Sequence, residues 1–281
     1  MSHEIELKLA LGPEGPEQLP LHPRLAARPA EQRRLTNTYF DTPDGELERA
    51  RMALRLRRDD QRWVQTLKTE GDSHGGLSRR GEWEWPLAEG VLDRAGLAEL
   101  PPMAALDPAL ITRLAPHFTT DFTRRIWRLE VAGADIEAAL DIGEITAGGH
   151  GVAIRELELE LKTGEPEALW QLAGELAERV ALRPADTSKA ARGNALLTGE
   201  WTLPAGGSDA AWLHRATVAL DAQADTGDPD WQAAAREALG RLAERQTDAA
   251  ALANALAQDA WLTPAFGQAA LRLAQRLAAT A

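Results

Sequence analysis

Glu4-Ile5-Glu6-Leu7-Lys8-Leu9 is the stretch that decides the fold. Strict alternation places Glu4, Glu6 and Lys8 on one face of a strand and Ile5, Leu7 and Leu9 on the other. One such strand fits an amphipathic edge with a solvated charged face. Its meaning depends on whether the pattern recurs.

It does recur. Met52–Arg57 puts Arg55 and Arg57 opposite Leu54 and Leu56, and Arg62–Thr69 ends in Thr66-Leu67-Lys68. Arg79–Pro86 aligns Arg80, Glu82 and Glu84, Phe122–Val131 aligns Arg124, Arg128 and Glu130, and Glu137–Asp141 carries acidic ends. In Arg155–Lys162, Glu156, Glu158, Glu160 and Lys162 alternate with Arg155 and leucines. Acid and base segregate by strand: Glu4 and Glu6 with Glu156, Glu158 and Glu160 form acidic sets, whereas Arg55, Arg57, Lys68, Arg80 and Arg124 form a basic one. That segregation suits charged faces turned into the lumen of an antiparallel β-barrel. Carboxylates there would suit hard divalent cations, and guanidinium and ammonium groups would suit polyphosphate oxygens.

Composition narrows the function classes. The 281 residues are 44% apolar and 26% charged, the balance of a globular chain with room for one large and one small domain. A net charge of −12 opposes nonspecific binding to nucleic acid or anionic membranes, so the basic residues are read as an internal cluster. The absence of cysteine excludes disulfides, thiolate chemistry and zinc-thiolate sites. Six histidines lack HxH or HExxH spacing, and no P-loop, GxGxxG or GxSxG is present. The N-terminus enters the first strand without a leader pattern, and no segment approaches the ~18 apolar residues of a membrane span, so a cytoplasmic location is expected.

Between the strands, Gly12–Ala30 reads as a proline-rich loop with a short broken helix, and Thr42-Pro43-Asp44-Gly45 reads as a turn. Leu87–Pro116 has helical spacing suited to the barrel's outer aliphatic face, and Glu165–Leu182 reads as an amphipathic helix on that exterior. Trp83 and Trp85, opposite Arg80 and Glu82 on their strand, are read as exterior packing. Trp201–Ser208 is a Pro/Gly linker. Beyond it, Asp209–Ala281 reads as about three helices, the last interrupted near Thr263-Pro264. The expected division is a barrel domain over 1–200 and a helical module over 209–281.

The motifs carry a specific resemblance. Glu4-x-Glu6-x-Lys8, a Tyr39-Phe40-Asp41-Thr42 turn, Leu54-Arg55-Leu56-Arg57, Thr66-Leu67-Lys68, Thr120-Asp121-Phe122-Thr123-Arg124, Leu140-Asp141-x-Gly143-Glu144, Glu156-Leu157-Glu158-Leu159-Glu160-Leu161 and Ser188-Lys189-Ala190-Ala191-Arg192-Gly193 occur in this order. Together they resemble the CYTH family of triphosphate tunnel metalloenzymes, and within it the bacterial inorganic triphosphatases. The resemblance covers roughly residues 1–200. It implies an α+β fold: an antiparallel β-barrel, the triphosphate tunnel, with helices outside it. The small C-terminal all-α module has one histidine and net acidic charge, unlike the long, basic, histidine-rich CHAD domain that often follows in such triphosphatases.

The resemblance also implies roles. Glu4, Glu6, Glu156 and Glu158 would hold Mg2+ or Mn2+, with Glu160 sharing their face and Asp141 as a further acidic residue. Lys8, Arg55, Arg57, Lys68, Arg80, Arg124 and Lys189 would clamp phosphates, and Glu82 and Glu84 would orient the basic side chains or water. Arg125, Arg128 and Arg192 fit a phosphate contact or a structural role equally. The implied reaction is metal-assisted hydrolysis of tripolyphosphate to pyrophosphate and phosphate, without a covalent intermediate. The alternatives are a thiamine triphosphatase, a class IV adenylate cyclase, or a polyphosphate-binding module without catalysis. The apolar faces of the tail suit packing on a partner or on a second copy in a homodimer.

Overall fold

The period-two pattern becomes a barrel wall because its apolar face has helices to pack against and its charged face has the barrel's other strands opposite it. The computed structural model describes residues 2–60 and 62–279. The strands are β1 (Ser2–Leu11), β2 (Glu31–Asp41), β3 (Met52–Asp59), β4 (Arg62–His74), β5 (Leu77–Leu87), β6 (Ala115–Val131), β7 (Ala134–Ala147), β8 (His150–Thr163) and β9 (Leu182–Pro184). They lie in the order β5-β4-β3-β2-β6-β7-β8-β1-β9, and β1 also pairs with β5. Eight antiparallel strands therefore close on themselves, removing the exposed edge an open sheet would present.

Closure rests on the first strand. Along one edge of β1, Glu4 pairs with Arg80 and Glu6 with Ser78 of β5. Along the other, Glu6 pairs with Glu160 and Lys8 with Glu158 of β8. The short β9 continues the first edge, pairing Leu9 with Pro184 and Leu11 with Leu182.

The helices are α1 (Gly15–Gln18), α2 (Pro23–Ala26), α3 (Glu46–Arg49), α4 (Arg94–Ala98), α5 (Leu110–Arg113), α6 (Glu167–Ala177), α7 (Lys189–Thr198), α8 (Asp209–Thr226), α9 (Pro229–Ala243), α10 (Ala249–Ala255) and α11 (Pro264–Ala278). On the outside of the barrel, Leu7, Leu9, Trp127, Leu157 and Leu159 join Leu169 and Leu172 of α6 in one apolar cluster. The same cluster continues through Leu213, Leu239, Leu252 and Leu271 of α8–α11. A second exterior cluster sets Leu97, Met103 and Leu110 against Leu54 and Leu67. No described helix is long and apolar enough to cross a membrane.

Several boundaries differ from expectation. Tyr39–Asp41 ends β2 and is not a turn. The central inward residues of β2, Leu35, Asn37 and Tyr39, are uncharged, with Glu31, Arg33 and Asp41 confined to the ends of that face, so charge alternation did not reveal this strand. Asp41 then caps α3, its Oδ1 accepting from the amides of Thr42 (2.7 Å) and Leu47 (2.8 Å) and its Oδ2 from Glu48 (2.9 Å). The 87–116 stretch does cover the barrel, but as α4, a 3-10 turn at Pro101–Ala105 and α5, because its prolines interrupt a longer helix. Helix α6 stops at Ala177, where β9 needs the chain back on β1. The tail folds as four helices, α8–α11, with Thr263-Pro264 starting the fourth; residues 280–281 of the expected module lie outside the described residues.

Candidate active site

Alternation directs the charged side chains into one lumen. A cavity of about 300 Å³ there is lined by Glu4, Lys8, Arg55, Arg57, Lys68, Arg80, Glu82, Glu84, Arg124, Glu158, Glu160 and Lys189. All seven expected phosphate clamps are among these residues. Glu6, Asp141 and Glu156 are buried beside the cavity and contact its cations. Tyr39, Ala53, Ser188 and Ala190 also line it; Tyr39, Ser188 and Ala190 lie in the quoted motifs without an expected role, and Ala53 has no charge to mark it.

Cations and carboxylates pair across strands. On the β1–β4–β5 side, Glu4 Oε2 receives Lys68 Nζ at 2.7 Å and Arg80 Nε at 3.0 Å, while Arg80 Nη2 also donates to Glu6. Glu82 lies 3.3 Å from Lys68 and 3.9 Å from Arg55, and Glu84 accepts from Thr66 Oγ1 at 3.1 Å. Glu82 thus contacts two of the lining cations, whereas Glu84 meets a hydroxyl buried outside the cavity lining. Burial alone would raise the Glu4 carboxyl, but Lys68 and Arg80 outweigh it and hold Glu4 at about 2.

On the β6–β7–β8 side, Arg124 donates from Nε and Nη2 to both oxygens of Asp141 at 2.7 Å and reaches Glu158 as well. Lys189 Nζ stands 2.7 Å from Asp141 and 3.0 Å from Glu158, and it also donates to Glu156. Burial opposes ionisation of Glu158, yet Lys189 and Arg124 keep it well below the usual carboxylate range. For Glu156, burial wins and its pKa is raised. Glu160 is likewise raised by burial and pairs with Lys162 at 2.6 Å.

Two cations stand apart. Among the described residues, no carboxylate lies within ion-pairing distance of Lys8 or Arg57; Arg57 donates from Nε to Asn37 Oδ1 at 3.0 Å. Burial, then Arg55 and Arg124, lowers Arg57 to about 10. Two lumen cations without a carboxylate at ion-pairing distance favour an anionic ligand.

One end of the lumen is apolar. Tyr39 stacks on Phe118 with ring centroids 4.6 Å apart, and Phe122, Ile145 and Ile154 complete the cluster. Ala190 and Leu196 of α7 pack on it. Ser188 starts α7, its Oγ accepting from Ala191 N at 3.1 Å, so Lys189 enters the lumen from the helix's first position. Arg125, by contrast, lies over the ring of Trp127 on the outside, and Arg128 is exposed.

The donor set suits a hard divalent ion. Asp141, Glu156 and Glu158 each present an oxygen, all within 4.8 Å of one another. Lys189 already bonds all three, a cation held where carboxylate charge converges.

Residues 2–193 match the CYTH domain. The chain is 36% identical over 194 residues to an inorganic triphosphatase of Haemophilus influenzae, covering 69% of this chain and 54% of that protein. It thus spans about half the length of that curated relative. Among solved structures, HpAC1 of Hippeastrum, described as a candidate adenylyl cyclase with dominant triphosphatase activity, superposes with a TM-score of 0.53 at 23% identity. That match covers 71% of this chain and 97% of the other, and it supports the barrel fold.

Proposed function

This chain belongs to the CYTH domain family, and we propose that it hydrolyses inorganic triphosphate to pyrophosphate and phosphate inside the barrel lumen. The observation that carries this reading is the polar cavity of about 300 Å³ walled by Lys8, Arg55, Arg57, Lys68, Arg80, Arg124 and Lys189. Arginines would grip phosphate oxygens bidentately, and the lysines would supply mobile point charges. Tyr39, the one aromatic among the described lining residues, has its ring stacked on Phe118, leaving little face for a nucleobase. This favours tripolyphosphate over ATP or thiamine triphosphate.

In the reaction, a water oxygen bonds to a terminal phosphorus as the bridging P–O bond breaks, and the water's proton passes to a phosphate oxygen. Pyrophosphate leaves with that bond's electron pair, and the lumen cations neutralise its growing charge. Asp141, Glu156 and Glu158 would hold Mg2+ or Mn2+, with Glu4 and Glu6 as a further acidic set on the neighbouring strand β1 and Glu160 nearer the solvent. Such an ion would supply charge neutralisation at phosphate oxygens and a more acidic attacking water. Glu82 and Glu84 orient Lys68, Arg55 and Thr66. On ligand binding the cations would exchange their carboxylates for phosphate, leaving Asp141, Glu156 and Glu158 free to hold a divalent ion.

The test is release of phosphate and cyclic nucleotide from tripolyphosphate, ATP and thiamine triphosphate, each with Mg2+, Mn2+ or chelator. Fast, metal-dependent cleavage of tripolyphosphate is expected. Efficient cyclic AMP formation with inert tripolyphosphate would replace this reading with a cyclase.

A further inference from the structure

Helix α8 lies outside every motif of the barrel, yet one of its faces holds the segment that delivers Lys189. His214, Asp221 and Asp225 fall at i, i+7 and i+11, one stripe of a helix. Asp221 Oδ1 accepts from Arg183 Nη1 at 2.7 Å, a pair only 3% and 6% exposed. Its Oδ2 accepts from the backbone amides of Asp186 (3.1 Å) and Thr187 (2.9 Å), just before Lys189. Asp225 grips Arg192, just after Lys189, through Nε at 2.8 Å and Nη2 at 2.6 Å. His214 Nδ1 lies 2.9 Å from Asp186 Oδ2, and Asp186 Oδ1 accepts from Gly76 N at 2.6 Å.

We propose that α8 is a clamp that sets the position of Lys189 in the lumen, with Asp221 and Asp225 as positioning residues that never touch the ligand. The contacts bracket Lys189 on both sides. Without Asp221, two backbone amides lose their acceptor and Arg183 becomes a buried charge without its carboxylate. Without Asp225, Arg192 keeps Ala153 O at 2.6 Å and Glu156 at 3.5 Å, and it is free to pull Glu156 away from Lys189. The start of α7 would then shift relative to Asp141 and Glu158. Residues 209–281 are thereby part of the site's construction.

This inference rests on the triphosphatase reading for its kinetic arm and is independent of it for its second arm. In the full chain, D221N and D225N are compared with D248N, which alters the half-exposed Asp248–Arg276 pair on the helical tail. All are assayed at a temperature where circular dichroism shows them folded. In D221N and D225N, kcat/KM for tripolyphosphate is expected to fall roughly 10- to 100-fold, mainly through KM, as for other groups that orient ligand contacts. D248N should match wild type. Hydrogen exchange of the Asp186 and Thr187 amides should accelerate in D221N and not in D248N. If D221N does not fold, D225N and the milder D225E carry the comparison, because Asp225 holds a side chain rather than backbone. Folded D221N and D225N with wild-type KM and wild-type exchange would overturn the clamp. If the wild-type protein cleaves no triphosphate, the triphosphatase reading fails, and exchange alone decides the clamp.

Discussion

Gly193 lies against the ring of Phe118: a Cβ added there would stand 2.2 Å from Cε2 and 2.3 Å from Cδ2. The glycine lets α7 approach the apolar end of the lumen closely enough for Lys189, one turn earlier, to reach Asp141 and Glu158. Gly193→Ala is expected to destabilise by about 1–3 kcal/mol through overpacking and to weaken tripolyphosphate binding. Gly240→Ala on α9 is the control, since an added Cβ meets nothing within 4 Å there; it should stabilise by roughly 0.5–1 kcal/mol. Thermal melts and calorimetric titration check both.

Arg57 sets binding against stability. Its charge is unfavourable in the ligand-free lumen, where burial, Arg55 and Arg124 lower it to about 10. Arg57→Met should leave the melting temperature unchanged or higher while weakening tripolyphosphate binding by roughly 1–3 kcal/mol, the worth of a charge-assisted hydrogen bond. Extra metal should not restore that loss. Glu158→Gln should lose activity that extra metal partly restores. Metal titrations that do not distinguish the two variants would remove the division between phosphate and metal ligands.

The pH dependence of stability has a defined sign. Glu4 is held at about 2, below its ordinary 4.5, because Lys68 and Arg80 outweigh burial. A depressed carboxyl contributes its full stabilisation above about 4.5 and loses it as pH falls toward 2. Glu158 acts in the same direction, whereas Glu156 and Glu160, raised by burial, act oppositely. The Glu4 share is roughly 3 kcal/mol. Urea unfolding of wild type and Glu4→Gln from pH 6 down should therefore converge as the medium becomes acidic, by an amount of that order.

Truncation after Gly206 removes α8–α11 and with them the part of the main apolar cluster formed by Leu213, Leu239, Leu252 and Leu271. Leu7, Leu9, Leu157 and Leu159 would lose their continuous cover, and Arg183 and Arg192 would lose Asp221 and Asp225. The shortened chain is expected to aggregate or bind hydrophobic dyes when purified. A well-folded monomer with full activity would show instead that the barrel stands alone.

The sequence by itself determined the barrel and the direction of its charges. In a strand the side-chain period is two, so Glu4, Glu6 and Lys8 must share a face whatever surrounds them, as must Arg55 with Arg57 and Glu156 with Glu158. The central lumen-facing residues of β2 are uncharged and lacked that signal, so Asn37 stayed hidden and Tyr39 was not placed on a strand. What tertiary structure decided was partnership. Whether Glu4 meets Lys68 and Arg80, or Arg124 meets Asp141, depends on which strands become neighbours and in what register: closure of β1 on β5 fixes the first, and the β6–β7 register fixes the second. Lys189 enters from a helix, and the residues holding that helix's approach, Asp221 and Asp225, lie more than thirty positions away on α8. Their stripe looks in sequence like the polar face of a solvated helix, because a buried and a solvated carboxylate have the same spacing until the chain folds against them.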